Sequence, residues 1–200
     1  MRKSSFLMFI VLVVILSSCD ILQQATMVAN LLKCEFRLES LNNFKLAGID
    51  IQNKQSLTDL NLLDAAKITN AYLTKSLPAG FTLNMQVKNP NPGAAGINNI
   101  GWILFIDDTQ ITQGAVNKRV QVAPNGGVST IPLEISFDMI KVFSGKTKDA
   151  LLNLAFNLAG QGTRSSNIMV KAKPSVYIGN QRVDYPGYLN IRKEFSSMTY

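Results

Sequence analysis

Between Phe81 and Lys88 the chain alternates strictly: Phe81, Leu83, Met85 and Val87 are apolar, and Thr82, Asn84, Gln86 and Lys88 are polar. A period of two with one apolar side predicts an antiparallel strand with one face on a core and the other in water. Val128 to Phe137 repeats the pattern, with Ile131, Leu133, Ile135 and Phe137 on one side and Pro132, Glu134 and Ser136 on the other. Pro132 cannot donate to a ladder, so it is expected on an edge strand or on the exposed side of a ladder. Shorter strands are expected at Cys34 to Leu41, Phe44 to Ile51, Gly101 to Ile106, Thr109 to Val122 with a break at Gly114, Ile168 to Ala172, Val176 to Ile178 and Leu189 to Phe195.

The punctuation between them is turn chemistry. Asn42-Asn43, Asp107-Asp108, Asn125-Gly126-Gly127, Gly179-Asn180 and Tyr185-Pro186-Gly187 are expected turns, and Gln161 to Ser166 a loop. In Asn89-Pro90-Asn91-Pro92-Gly93 each proline removes a donor and drives the preceding asparagine out of the helical region, which must end the strand at Lys88. Two stretches change period. Asp59 to Lys75 is expected to be a helix capped by Thr58 or Asp59, with Leu60, Leu63, Ala66 or Lys67, Ala71 and Tyr72 or Leu73 on its inner face; Lys148 to Ala159 follows the N-cap Thr147 and stops at Gly160. Seven to nine short strands at 8–12-residue spacing indicate one antiparallel β-sandwich.

The first segment has another character. Met1-Arg2-Lys3 precedes eleven consecutive apolar residues, Phe6 to Leu16, and then Ser17-Ser18-Cys19-Asp20. That is a secretory signal peptide, since an apolar run this short falls below the roughly 20 residues a spanning helix needs. Leu16-Ser17-Ser18-Cys19 resembles the bacterial lipobox, which implies cleavage between Ser18 and Cys19 and acylation of Cys19. Two or more acyl chains hold a protein on a bilayer where one does not. The expected layout is a signal at 1–18, a lipidated tether at 19–32 and a single domain at 33–200. The expected place is the bacterial envelope, in the outer membrane.

Composition narrows the chemistry. The chain has 200 residues, 46% of them hydrophobic, and no histidine, so Ser-His-Asp, Cys-His and histidine-based zinc sites are excluded. Of two cysteines, Cys19 is taken by the lipid, and Cys34 shares parity with Phe36 and Leu38, which points it inward. Gly145-Lys146-Thr147 copies the end of a phosphate-binding loop, but Ile140 stands where the pattern needs glycine. Asp107-Asp108 lacks the spaced acidic run that calcium requires. Gly127-Val128-Ser129 lacks the second glycine of a nucleophile elbow. Paired carboxylates suffice for glycoside hydrolysis, yet no converging pair is evident.

The order of elements resembles the WHy domain, the water-stress and hypersensitive-response domain of late embryogenesis abundant type 2 proteins, over about Phe44 to Val142. The resemblance rests on Asn89-Pro90-Asn91 after an alternating strand, Ile97 to Ile106 followed by Asp107-Asp108, then Gly114, and Ile131-Pro132-Leu133. It implies an immunoglobulin-like or fibronectin-III-like sandwich and a stress-associated role without catalysis, cofactor or metal. The lipid signal and the two helical segments, Asp59 to Lys75 and Lys148 to Ala159, depart from the plant members, so the expected fold is mainly β with two helical insertions. Asn89, Pro90, Asn91 and Pro92 are expected to shape the turn, and Gly114 to allow a bulge or a close approach.

Partners are expected at the envelope: the membrane through the lipid, and a protein or polysaccharide, with no nucleic acid. The basic residues Lys141, Lys146, Lys148, Lys171, Lys173, Arg192 and Lys193 lie on different elements, which reads first as solvated sheet faces, with a summed field that could draw the domain towards anionic lipid or polysaccharide as the other reading. Trp102, Tyr177, Tyr185 and Tyr188 offer a sugar-stacking platform, the basis of an alternative in which the domain binds carbohydrate or another small ligand.

Overall fold

The computed structural model describes residues 26–54, 57–162 and 164–195. Along the chain run a short helix α1 (residues 26–31), strands β1 (Glu35–Leu46) and β2 (Ile49–Asp50), a 3-10 turn (Leu57–Asp59) and helix α2 (Leu62–Leu73). Next come β3 (Pro78–Asn89), β4 (Ala95–Ile97), β5 (Asn99–Ile106), β6 (Thr109–Val116), β7 (Val120–Val122) and β8 (Gly127–Asp138). Helices α3 (Met139–Val142) and α4 (Lys148–Leu158) precede β9 (Ser166–Ile178), β10 (Gln181–Asp184) and β11 (Leu189–Phe195).

One sheet has the order β2-β1-β3-β8; in the other, β9 pairs with β5 on one side and with β10 and β11 on the other, and β5 pairs with β6. Every pairing is antiparallel, and the result is the expected β-sandwich. The alternating side of β3 (Phe81, Leu83, Met85, Val87) joins Ile131, Leu133 and Ile135 of β8 in one buried cluster with Ile100, Leu104 and Ile106 of β5 and Ile168 and Val170 of β9. Each such side chain contributes about 1.5–3 kcal/mol on burial, so the alternating pattern alone commits both sheets to meet. Pro132 lies opposite Asn84 on the edge strand β8, where its missing donor faces no partner strand.

Several boundaries differ from the sequence expectation. Asn42-Asn43 does not end a strand: β1 runs through it as a bulge, with Asn43 at φ 58°, and the hairpin turn falls at Ala47-Gly48. A left-handed asparagine serves a bulge as well as a turn, so composition alone could not separate the two. Residues 166–178 form one strand through Lys173-Pro174, where two were expected, and the short β4 and β10 carried no signal. The break in 109–122 falls after Val116, not at Gly114. Helix α2 is capped by Asn61, whose side chain accepts from the Asp64 amide at 2.8 Å. It buries Ile68 and leaves Leu62, Leu63 and Leu73 exposed, so the apolar stripe chosen from its period was partly the wrong one. Helix α4 starts at its expected cap, Thr147.

Candidate functional site

Asn89 closes β3 at one pole of the sandwich and is fully buried. Its Nδ2 donates to the carbonyls of Gly93 at 2.9 Å and Val122 at 3.2 Å, while its Oδ1 accepts from the Asn91 amide at 3.1 Å and from Asn91 Nδ2 at 2.7 Å. Asn91 Nδ2 also donates to the carbonyl of Asn30 at 2.9 Å, and Asn30 returns a bond to Ala94 at 3.0 Å. The backbone carbonyls of Asn89 and Asn91 accept from Gly126 and Asn125, both at 2.8 Å. Pro90 and Pro92 need no donor partner, which suits a corner where the ladder must stop. The motif therefore pins four segments together: α1, the end of β3, β7 and the Asn125-Gly126 turn.

Leu31 of α1 is 3% exposed, so the packed fold already includes part of the stretch expected as tether. Cys34 follows α1 half-buried against the core, and burial with Glu35 beside it pushes its thiol up to about 11. At neutral pH that thiol stays protonated and unreactive. Ser18 and Cys19, the expected cleavage and lipidation residues, lie outside the described residues.

Gly114 pairs with Trp102 across β5 and β6, and the register irregularity of that pair lies elsewhere, at Leu104/Phe105. A Cβ at Gly114 would stand 2.4 Å from Cζ2 of the indole. Glycine is thus required by a ring lying over the backbone and not by a bulge. Trp102 is 6% exposed and turned into the core, which removes it from the aromatic platform expected from sequence.

At the opposite pole Asp138 organises the start of α3. Its Oδ1 accepts from the amides of Ile140 at 3.0 Å and Leu77 at 3.2 Å, and Ser76 Oγ donates to Oδ2 at 3.0 Å. Burial alone would raise this carboxyl; the hydrogen bonds from Leu77, Ser76, Lys141 and Ile140 outweigh it and hold the group below the ordinary carboxylate range. Thr147 spends its hydroxyl on the Ala150 amide at 3.3 Å. Asp107 and Asp108 make the β5–β6 turn at φ 46° and 63°, and Asp107 Oδ1 accepts from the Asn167 amide at 2.9 Å. Among the described residues no three His, Cys, Asp or Glu are grouped to hold a metal, and no helix is long and apolar enough to cross a membrane.

The expected basic residues divide. Lys141, Lys146 and Lys148 lie around α3 and α4, and Lys193 reaches across to the carbonyl of Glu39, the bulged residue of β1. Lys171, Lys173 and Arg192 do converge, on the outward side of the β9 and β11 pair, and Arg182 of β10 joins them. Lys171 Nζ stands 4.9 Å from the centre of the Phe105 ring, Lys173 Nζ 5.9 Å from that of Tyr188, and Arg192 Nε 3.2 Å from Met169 Sδ. Asp184 pairs with Arg182 at 2.7 Å and Lys173 at 3.6 Å, and the Arg182 guanidinium holds its carboxyl below the ordinary range. Sequence reasoning missed Arg182 and Asp184 because β10 is too short to show a period, and it missed Asn30 because nothing local marks a partner 61 residues away.

No protein-family model matches the chain, and no curated protein matches it. Among solved structures, a protein from Archaeoglobus fulgidus is similar over 82% of this chain and 99% of its own, at 14% identity and a TM-score of 0.35. A solution structure from Arabidopsis thaliana is similar over 83% and 80%, at 8% identity and 0.40. A solution structure described as a late embryogenesis abundant protein is similar over 90% and 80%, at 10% identity and 0.38. At these scores the likenesses decide neither family nor function.

Proposed function

We propose that the chain is a lipid-anchored, non-catalytic protein of the bacterial cell envelope whose single domain, resembling the late embryogenesis abundant type 2 domain, serves as an interaction or stress-protective module. The observation that carries this reading is the clamp at the start of the fold. Asn89 and Asn91 hold Asn30, and Asn30 lies eleven residues after Cys19 of the lipobox-like sequence. A chain fastened to lipid at one end and locked into a buried corner at the other keeps the domain at a membrane surface. The side chains of Asn89 and Asn91, both buried, and of Asp138 are committed to holding backbone groups, which fits a scaffold better than a reaction centre.

Intact mass of the membrane-extracted protein, wild type beside Cys19→Ser, tests the reading. It predicts a chain beginning at Cys19 with three acyl groups, absent from the variant. An unmodified chain beginning elsewhere would contradict it.

A further inference from the structure

We propose that the outward face of the sheet containing β9, β5 and β11 docks on an anionic lipid bilayer. Four cations gather there, Lys171, Lys173, Arg182 and Arg192. Asp184 lies within the group and is already paired with two of them. Asp107 and Asp108 line one hollow with Arg192 and Met169 at the β5–β6 turn, and Glu194 follows two residues after Arg192 on β11, so the cationic part of the face is its Lys171–Lys173 end.

The aromatics on this face decide between partners. Lysine ammonium groups lie over the rings of Phe105 and Tyr188, so one face of each is taken and is not open to the stacking that bases or sugars use. What the surface presents is charge at fixed positions, with Lys171 and Lys173 two residues apart on one side of a strand and so about 7 Å from each other. Tyr177 and Tyr188 remain 45% and 51% exposed beside them. A phenol with an apolar body and a wet tip, set among cations, is the combination that suits a membrane–water interface.

The path of the chain supplies the second argument, and it rests on the lipid-anchored reading. Met27 of α1 lines the same hollow as Tyr177, and Val28 and Leu31 line another with Asp184 and Tyr185. The fold is thus entered at the Tyr177 end of this sheet. Seven peptide steps separate Cys19 from Thr26, a reach of about 25 Å at full extension. Thr26, at the Tyr177 end of this face, is held within that distance of the acyl chains.

Among the described residues every buried residue of the core lies between Leu31 and Ile191, so a chain beginning at residue 19 with Cys19→Ser keeps them all and carries no lipid. This form is expected to co-sediment with vesicles of phosphatidylcholine mixed with phosphatidylglycerol, to ignore pure phosphatidylcholine, and to be released at high salt. Removing one cation lowers the affinity about fivefold, so Lys171→Ala with Lys173→Ala lowers it by more than tenfold. Lys45→Ala with Lys88→Ala, on the other sheet, leaves it unchanged. Failure to bind anionic vesicles, or binding indifferent to Lys171 and Lys173, overturns the proposal. So does binding to a soluble acidic polysaccharide or single-stranded DNA without vesicle binding. Because this form has no acyl group, the result is independent of the mass measurement on Cys19.

Discussion

The two outer faces of the sandwich are built on opposite terms. On the β2-β1-β3-β8 sheet the outward side chains bond each other: Thr82 donates to Glu134 at 3.1 Å, Asn84 to Ser40 at 2.9 Å and Arg37 to Gln86 at 2.8 Å, and Lys88 faces Glu35 at 3.6 Å. On the β9 sheet Lys173 and Arg182 share the single carboxylate of Asp184, while Lys171 rests on a ring and Arg192 on a thioether, so the positive charge there is only partly compensated. Both surfaces are polar and both cover the same core, so folding does not require them to differ. A face that satisfies itself has little left for a partner, and one that leaves charge uncompensated attracts the opposite sign.

The comparison can be broken most forcefully from inside the basic sheet. Gly114→Val places carbon against the indole where 2.4 Å is left and should cost about 2–3 kcal/mol in chemical unfolding. An intact stability would mean that Trp102 does not lie over that backbone. A smaller effect is expected where the self-bonded sheet meets α3. Asp138→Asn should cost about 1 kcal/mol at neutral pH. Because the folded carboxyl titrates below its ordinary value, the wild-type advantage is complete above the ordinary carboxylate range and fades as pH falls through the folded value. A difference that grew on acidification would refute this. The smallest effect sharpens the contrast: Lys171→Ala should change stability by about 0.5–1 kcal/mol, while vesicle binding falls about fivefold. A stability loss several times larger would make that lysine a structural element of the sheet and not a free charge.

How much of this was legible depended on the range of the cause. Alternation placed β3 and β8 because one strand's own period decides which side is buried, and Thr147 announced α4 because a cap is local. Bulges were not legible: Glu39 and Asn43 each add a residue that sequence reads as a turn or as nothing, and each changes what can cross to the other sheet, as Lys193 does at Glu39. The Asn89-Pro90-Asn91 corner was visible as a stop, but its hold on Asn30 and Val122 is long-range. Lys173 lay beyond the expected strand Ile168 to Ala172; the single strand β9 puts it on one side with Lys171, and the pairing of β9 with β10 and β11 brings Arg182 and Arg192 beside them.

An anchored domain with two unlike faces makes a single comparison decisive. Envelope membranes containing the wild-type protein would be treated with a membrane-impermeant lysine acylating reagent, with and without detergent, and labelling read residue by residue by mass spectrometry. The account predicts that Lys171 and Lys173 are protected until detergent is added, while Lys45 and Lys88 label equally in both conditions. Equal labelling of all four lysines in intact membranes would contradict it.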